Sequence, residues 1–167
     1  HNDTLMLRDA GWIQLYCETN QEVLDTTVQS FRLAEAVDLP VMIILDAFFL
    51  SHTSEPVDIP SQEMVDGFLP ARQARHKLDI DDPRAFGALT RPDVYMEIRL
   101  RQQEAMAEAL EAFTSFDAQW AERTGRSYGA LEEYRTEGAD LLLVTSGTIT
   151  STSRHVVDQC RDRGEAV

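Results

Sequence analysis

The spacing of apolar residues changes twice within the first fifty positions. Residues 11–17, GWIQLYC, form a short apolar stretch of strand character. TNQE follows at 19–22, where the Thr19 hydroxyl is placed to accept the Glu22 amide while the Glu22 carboxylate reaches back, as in a capping box. A helix is predicted from there. Leu24, Val28 and Phe31, joined by Val23, Thr27 and Ala34, recur at steps of three, four and seven and predict its buried face; Asp25, Gln29, Arg32 and Glu35 are expected outside. Pro40 ends this helix, because proline cannot continue the hydrogen-bond ladder and forces the preceding residue extended. VMIIL at 41–45 then runs apolar without alternation, the pattern of a parallel strand buried on both faces. Strand, helix and strand together predict a right-handed crossover unit.

From Asp46 to Asp93 the chain is rich in Pro, Asp and Ser and mostly aperiodic, a long excursion from the sheet. A short helix is expected at SQEMVDGFLP, capped by Ser61 with Glu63 in its first turn. From Val94 the helical period returns through Met106, Ala109, Leu110, Phe113, Phe116 and Trp120, predicting one long amphipathic helix to Thr124 with Gly125 as its stop. A second unit is predicted from 139: a buried strand at 141–144, a small-residue turn at 145–148, a helix over about 150–163, Gly164 as its end and EAV opening another strand. Sheet strands close to both termini give the chain the appearance of an internal segment of a longer fold.

Composition narrows the function. The chain has 167 residues, 43 % of them apolar, enough for one domain or a domain and part of another. Its longest apolar stretch, broken by Asp46, falls far short of the roughly 20 residues that span a bilayer, so no membrane partner is expected. A charge of −14, from 29 acidic against 15 basic residues, opposes a general role on DNA or RNA. Lys77 is the one lysine among those basic residues and the rest are arginine, a balance that fits a salt-adapted or GC-rich source as well as an ordinary acidic surface. Cys17 and Cys160 stand far apart with no Cys-x-x-Cys, which removes iron-sulfur and structural-zinc spacings and fits a cytoplasmic protein. His1, His52, His76 and His155 show no ligand spacing, so no metal site is expected. No Gly-x-Ser-x-Gly elbow is present.

Six blocks, HNDTLMLRDAGWIQLYCETNQEVLD, LPVMIILDAFFLSHTSE, VDGFLP, YMEIRLRQQEAM, GRSYGALEEYRTEGADLLLVTSGT and VVDQCRDRG, occur in the order in which they resemble the α subunit of the 2-oxoacid:ferredoxin oxidoreductases, thiamine-diphosphate enzymes that include pyruvate synthase. The resemblance implies an α/β fold: a parallel sheet with flanking helices over 1–93, the second half of a thiamine-diphosphate pyrimidine-binding domain; a long helix and connector over 94–138; and, over 139–167, the first βα unit of a transketolase C-terminal-like domain. It also implies oxidative decarboxylation of a 2-oxoacid to acyl-CoA, with electrons passed to ferredoxin. The resemblance implies that the diphosphate of thiamine diphosphate and its Mg are held by another domain or subunit, that the chain partners a β subunit, and that iron-sulfur clusters lie on other domains or subunits. The family's Tyr-Pro-Ile-Thr segment, thiamine-activating glutamate and substrate arginine correspond to positions upstream of His1. This chain is therefore expected to hold no catalytic residue and to bind no cofactor alone.

Candidate positions follow from strand ends, where open parallel sheets bind ligands. Asp46, Ser51 and His52, just past the second strand, are candidate walls of a cofactor or subunit cleft, with His52 able to exchange a proton near neutral pH. The alternative, preferred here, has Asp46 and Ser51 bonding local amides. Asp3 and Arg8 are candidates on the substrate side, Arg8 offering a fork to a carboxylate; a local ion pair of Arg8 with Asp3 or Asp9 is the alternative. Trp12 is expected in the core. TSGTITSTS at 145–153 is a weak candidate anion cradle at a helix N-terminus and reads first as a structural turn. Two further functions stay open: a subunit-interaction module without chemistry, and a free-standing nucleotide-binding α/β domain.

Overall fold

The computed structural model describes residues 2–87 and 89–167. One helical turn, α1 (Asn2–Leu5), leads through Gly11 into β1 (Ile13–Tyr16). Gly11 has φ +88, a backbone conformation that residues with a Cβ rarely adopt, and a Cβ there would also displace the end of the Gln102 side chain. Helix α2 (Asn20–Val37) and strand β2 (Val41–Ile44) complete the unit, with β2 parallel to β1 and Ile13 opposite Val41 through Tyr16 opposite Ile44. The two strands are the whole sheet among the described residues. β2 is half-buried along most of its length, not buried on both faces, because its second edge carries no strand.

The cap of α2 forms as expected at Thr19, whose hydroxyl accepts the Glu22 amide at 3.1 Å. The reciprocal arm reaches one residue further back, the Glu18 amide donating to Glu22 Oε2 at 2.6 Å. The face of α2 that packs inward differs from the one its apolar period predicts. Asp25 and Gln29 are fully buried, together with Thr26, Ser30, Leu33 and Val37, whereas Phe31 is 60 % exposed. The reason lies in long-range partners: the polar stripe meets polar groups of the long helix and its connector, so burying it leaves few donors unmatched.

After β2 the chain turns through Phe48, at φ +67, and forms α3 (Gln62–Phe68), capped by Ser61 accepting the Met64 amide. Helix α4 (Pro92–Thr124) begins with proline in its first turn, where a missing N–H costs nothing, and ends at Gly125 with φ +73. Its inward face is Ala109, Phe113, Asp117 and Trp120; Leu110, expected inside, is 59 % exposed. The core joins Leu33 and Val37 of α2 to Ala109 and Phe113 of α4, with Ile13, Leu15 and Val41 of the strands packed against it. Beside it Trp120 stands edge-on to Phe68 at 5.0 Å, fastening α3 to α4.

Helix α5 (Ile149–Asp162) follows a connector. Residues 141–144, expected as a buried strand, form none: Leu141, Leu142, Leu143 and Val144 are 59–86 % exposed. A strand exists only as part of a ladder, and among the described residues the sole backbone pairing here is at its start, where the Asp140 and Leu141 amides donate to Ala166 O at 2.8 and 3.2 Å. That contact sets Ala166, after α5, beside Asp140 and Leu141, before it. Among the described residues no helix is long and apolar enough to cross a membrane.

Candidate functional site

A cleft of about 760 Å³, the size of a small-molecule site, lies along β1 and past its carboxyl end, with Tyr16, Cys17, Phe113, Tyr128, Leu142 and Arg154 among its walls; β2 contributes none of them. Across its mouth, Glu18, the second residue after β1, holds Arg154 of α5 in a two-pronged pair at 2.5 and 2.7 Å, and Arg154 also reaches Glu132 at 2.5 Å. Ser151 donates to the same Glu18 carboxylate. Burial pushes the Glu18 carboxyl up, but Arg154 and Ser151 outweigh it and hold it below the usual carboxylate range. Glu22 shifts the other way, raised by burial and by the neighbouring Glu18 charge, though the Glu18 amide opposes the rise. Burial, reinforced by Glu22, raises the Cys17 thiol to about 12.

Beneath this lies a polar scaffold that the sequence pattern does not reveal. The buried Asp25 carboxylate accepts Arg126 Nε at 2.6 Å, Arg126 Nη2 at 3.0 Å, the Tyr128 hydroxyl at 2.7 Å and the Gln21 amide at 3.1 Å. Burial raises its pKa, but the Arg126, Tyr128 and Gln21 donors dominate and the net direction is down. Asp117 of α4 accepts the Ser127 hydroxyl at 2.5 Å, the Tyr128 amide at 3.1 Å and the Gly129 amide at 2.9 Å. Two buried carboxylates on different helices thus fix residues 126–129, which carry Tyr128 into the cleft wall. The usable signal was the placement of Asp25 four residues before Gln29 on a helix whose apolar stripe is incomplete.

The five residues singled out from strand-end position do not line this cleft. Asp46 accepts the Thr148 amide at 2.7 Å and its hydroxyl at 2.6 Å, so it caps the start of α5. The α5 N-terminus considered as an anion cradle already holds this carboxylate. Ser51 accepts the Phe48 amide at 3.0 Å and bonds His52 Nδ1 at 2.8 Å, while His52 stacks on Phe48 at 4.5 Å. Asp46, Ser51 and His52 therefore share one turn, with the Ser51 amide on Asp46 O. Asp3 accepts the Thr4 amide, and Arg8, exposed, pairs with Asp9 at 3.8 Å and donates to Leu5 O, both contacts local. Trp12, expected in the core, is 39 % exposed because it lies outside the contact between α2 and α4. His1 lies outside the described residues.

A family model described as pyruvate flavodoxin/ferredoxin oxidoreductase, thiamine diP-binding, matches residues 1–116, the segment that holds β1, α2, β2 and most of α4. The chain belongs to this family. Pyruvate synthase subunit PorA of Methanothermobacter thermautotrophicus is 47 % identical over 167 residues, covering 99 % of this chain and 44 % of that protein. PorA of Pyrococcus furiosus is 42 % identical over 168 residues, 99 % of this chain and 42 % of its own length. The α subunit of the NADH-dependent phenylglyoxylate dehydrogenase of Aromatoleum evansii is 37 % identical over 178 residues. The chain spans less than half the length of these relatives.

Family membership invites a test of the residues against the cofactor. A diphosphate and its metal call for a free helix N-terminus or nest and for carboxylate or amide ligands. The N-terminus of α5 is taken by Asp46, and among the described residues no three His, Cys, Asp or Glu side chains converge to hold a metal ion. These residues do not fit the diphosphate end of thiamine diphosphate.

Proposed function

We propose that this chain is part of the α subunit of a thiamine-diphosphate-dependent 2-oxoacid:ferredoxin oxidoreductase of pyruvate type. The observation that carries the reading is the match of residues 1–116 to the thiamine diP-binding family, a segment in which β1 pairs in parallel with β2 and lines a cleft. The reaction converts a 2-oxoacid and coenzyme A to acyl-CoA and carbon dioxide, and two electrons leave for ferredoxin through iron-sulfur clusters on other domains or subunits. Thiamine diphosphate, when bound, supplies the electron sink for decarboxylation. Its diphosphate and Mg are assigned to another domain or subunit of the assembly.

The chain's own part is structural and electrostatic. Residues 1–93, with the helix and connector of 94–138 packed on them, form the pyrimidine-side half of the site, and 139–167 open the next domain. Glu18 and Arg154 tie α5 to the strand end and neutralise each other there, so the cleft mouth keeps its shape without a net charge from that pair. Asp25 and Asp117 hold Tyr128 in the wall. Asp46 holds the start of α5, while Ser51 and His52, outside this cleft, are assigned to a wall met by the cofactor or the β subunit in the assembly, and Asp3 and Arg8 to the substrate side near α1. The enzyme works in the cytoplasm.

The test is acceptor reduction by the assembled enzyme containing this chain. With pyruvate, coenzyme A and thiamine diphosphate, reduction of ferredoxin or viologen is expected, and omission of any one should abolish it. A chain that assembles with its partners yet supports no such turnover would indicate an interaction module. Specific nucleotide binding by the chain alone would indicate the nucleotide-binding alternative.

A further inference from the structure

In a chain with 29 acidic and 15 basic residues, the half-buried Arg126 and Arg154 each hold carboxylates. Arg32 and Arg123 do not. Among the described residues, Arg32 Nη2 donates to Gln119 Oε1 at 3.0 Å, and Arg123 donates to Gln119 O at 3.1 Å and Gly67 O at 3.3 Å, all neutral acceptors. Both guanidinium groups address one ring, the buried Phe68, with their central carbons 4.7 and 5.7 Å from its centroid, and Arg32 also lies 4.2 Å from the Phe116 centroid. Two like charges therefore stand at most about 10 Å apart, against aromatic walls and without a counter-charge. Glu35, three residues on from Arg32 along α2, pairs with Arg72 at 3.9 Å, and Asp66 of α3 accepts the Gln62 amide at 2.7 Å.

We propose that Arg32 and Arg123 form a seat for an oxyanion, a phosphate or carboxylate group, on the side of the molecule built by α2, α3 and α4. The residues that make it, Arg32, Phe68, Phe116 and Arg123, are absent from the walls of the strand-end cleft, so this site is separate from the one assigned above. Arg32 retains Nε and Nη1, and Arg123 retains Nε, as donors with no protein acceptor among the described residues. Planar guanidinium groups suit forked recognition of such anions, and the aromatic faces hold the cations in place before the ligand arrives. Burial and the nearby Arg123 charge both weaken the hold of Arg32 on its proton, in keeping with a cation that lacks an anion. The proposal stands independently of the oxidoreductase reading.

The experiment titrates the native full chain with inorganic phosphate, and separately with succinate, at constant ionic strength set with sodium chloride. The readouts are thermal midpoint and the fluorescence of Trp120, which abuts Phe68, in a Trp12→Phe background. A saturable rise with phosphate but not succinate assigns a phosphate ligand; a rise with both assigns a carboxylate-bearing one as well. Arg32→Gln and Arg123→Gln should each weaken the saturating anion about tenfold, and Arg32→Lys, which keeps charge but loses the fork, should weaken it less. Midpoints that respond only to ionic strength, or saturation unchanged in both glutamine variants, would overturn the site. Circular dichroism of each variant separates loss of binding from loss of fold.

Discussion

Replacing Asp25 with alanine should destabilise the protein more than any other single change on α2. The substitution leaves Arg126, the Tyr128 hydroxyl and the Gln21 amide without their common acceptor, all at distances of 2.6–3.1 Å. Removing one partner of a buried ion pair costs about 3–5 kcal/mol. Here Arg126 keeps some relief, since its side chain is 26 % exposed and Asp58 lies 3.7 Å away, so the lower end, about 3 kcal/mol, is expected. At this chain length that corresponds to a thermal midpoint lower by about 6–12 °C. A double-mutant cycle with Arg126→Met, followed by urea unfolding, should return a coupling energy of about 1.5–3 kcal/mol. The effect has a defined pH window. The folded Asp25 carboxyl lies below its ordinary value, so its stabilisation is complete above the unfolded value of about 4 and is lost as pH falls through the folded one. The gap between wild type and Asp25→Ala should therefore be constant from pH 5 to 8 and close in stronger acid. A loss below about 1 kcal/mol, or simple additivity with Arg126→Met, would refute the assignment of Asp25 as the anchor of the connector.

Glu22 is raised in the folded state, so its ionisation opposes folding as pH climbs through that value; Glu22→Gln, which keeps an acceptor for the Glu18 amide, should raise the urea midpoint at pH 8 and have no effect below pH 4. Cys17 is 1 % exposed with its thiol near 12, so at pH 8 only about one part in ten thousand is thiolate; a thiol reagent should label the half-buried Cys160 readily and Cys17 only on unfolding. Labelling of both at one rate would contradict the buried placement of Cys17. His52→Ala removes an exposed stack on Phe48 and a bond to Ser51, so its stability cost should stay within about 0.5 kcal/mol, while in the assembled enzyme the KM for cofactor or 2-oxoacid rises several-fold. Unchanged Michaelis constants would leave the turn with a purely local role.

The local elements were legible because their signals are local. TNQE starts α2, Pro40 follows its end, Ser61 caps α3 and Gly125 stops α4, each through atoms a few positions apart. The parallel pairing of β1 and β2 followed from two short apolar runs separated by one helix. What the pattern misplaced depends on distant partners. Apolar periodicity put Asp25 and Gln29 in water, but the acceptors and donors that let them be buried arrive about a hundred positions later, at Arg126, Tyr128 and Asp117. Asp46 was weighed as a cleft wall and, preferentially, as a partner of local amides; the amide it holds, that of Thr148, is not local but about a hundred positions away. The run at 141–144 has the composition of a buried strand, yet composition does not supply the neighbours that make one.

The role proposed for this chain is in a thiamine-diphosphate-dependent decarboxylation of a 2-oxoacid. It is tested most directly by release of labelled carbon dioxide from carboxyl-labelled pyruvate by the assembled enzyme, without electron acceptor and with or without added thiamine diphosphate. A burst of label close to one equivalent per bound cofactor is expected, absent from the cofactor-free enzyme. Label retained in pyruvate, or released equally with and without thiamine diphosphate, would contradict it.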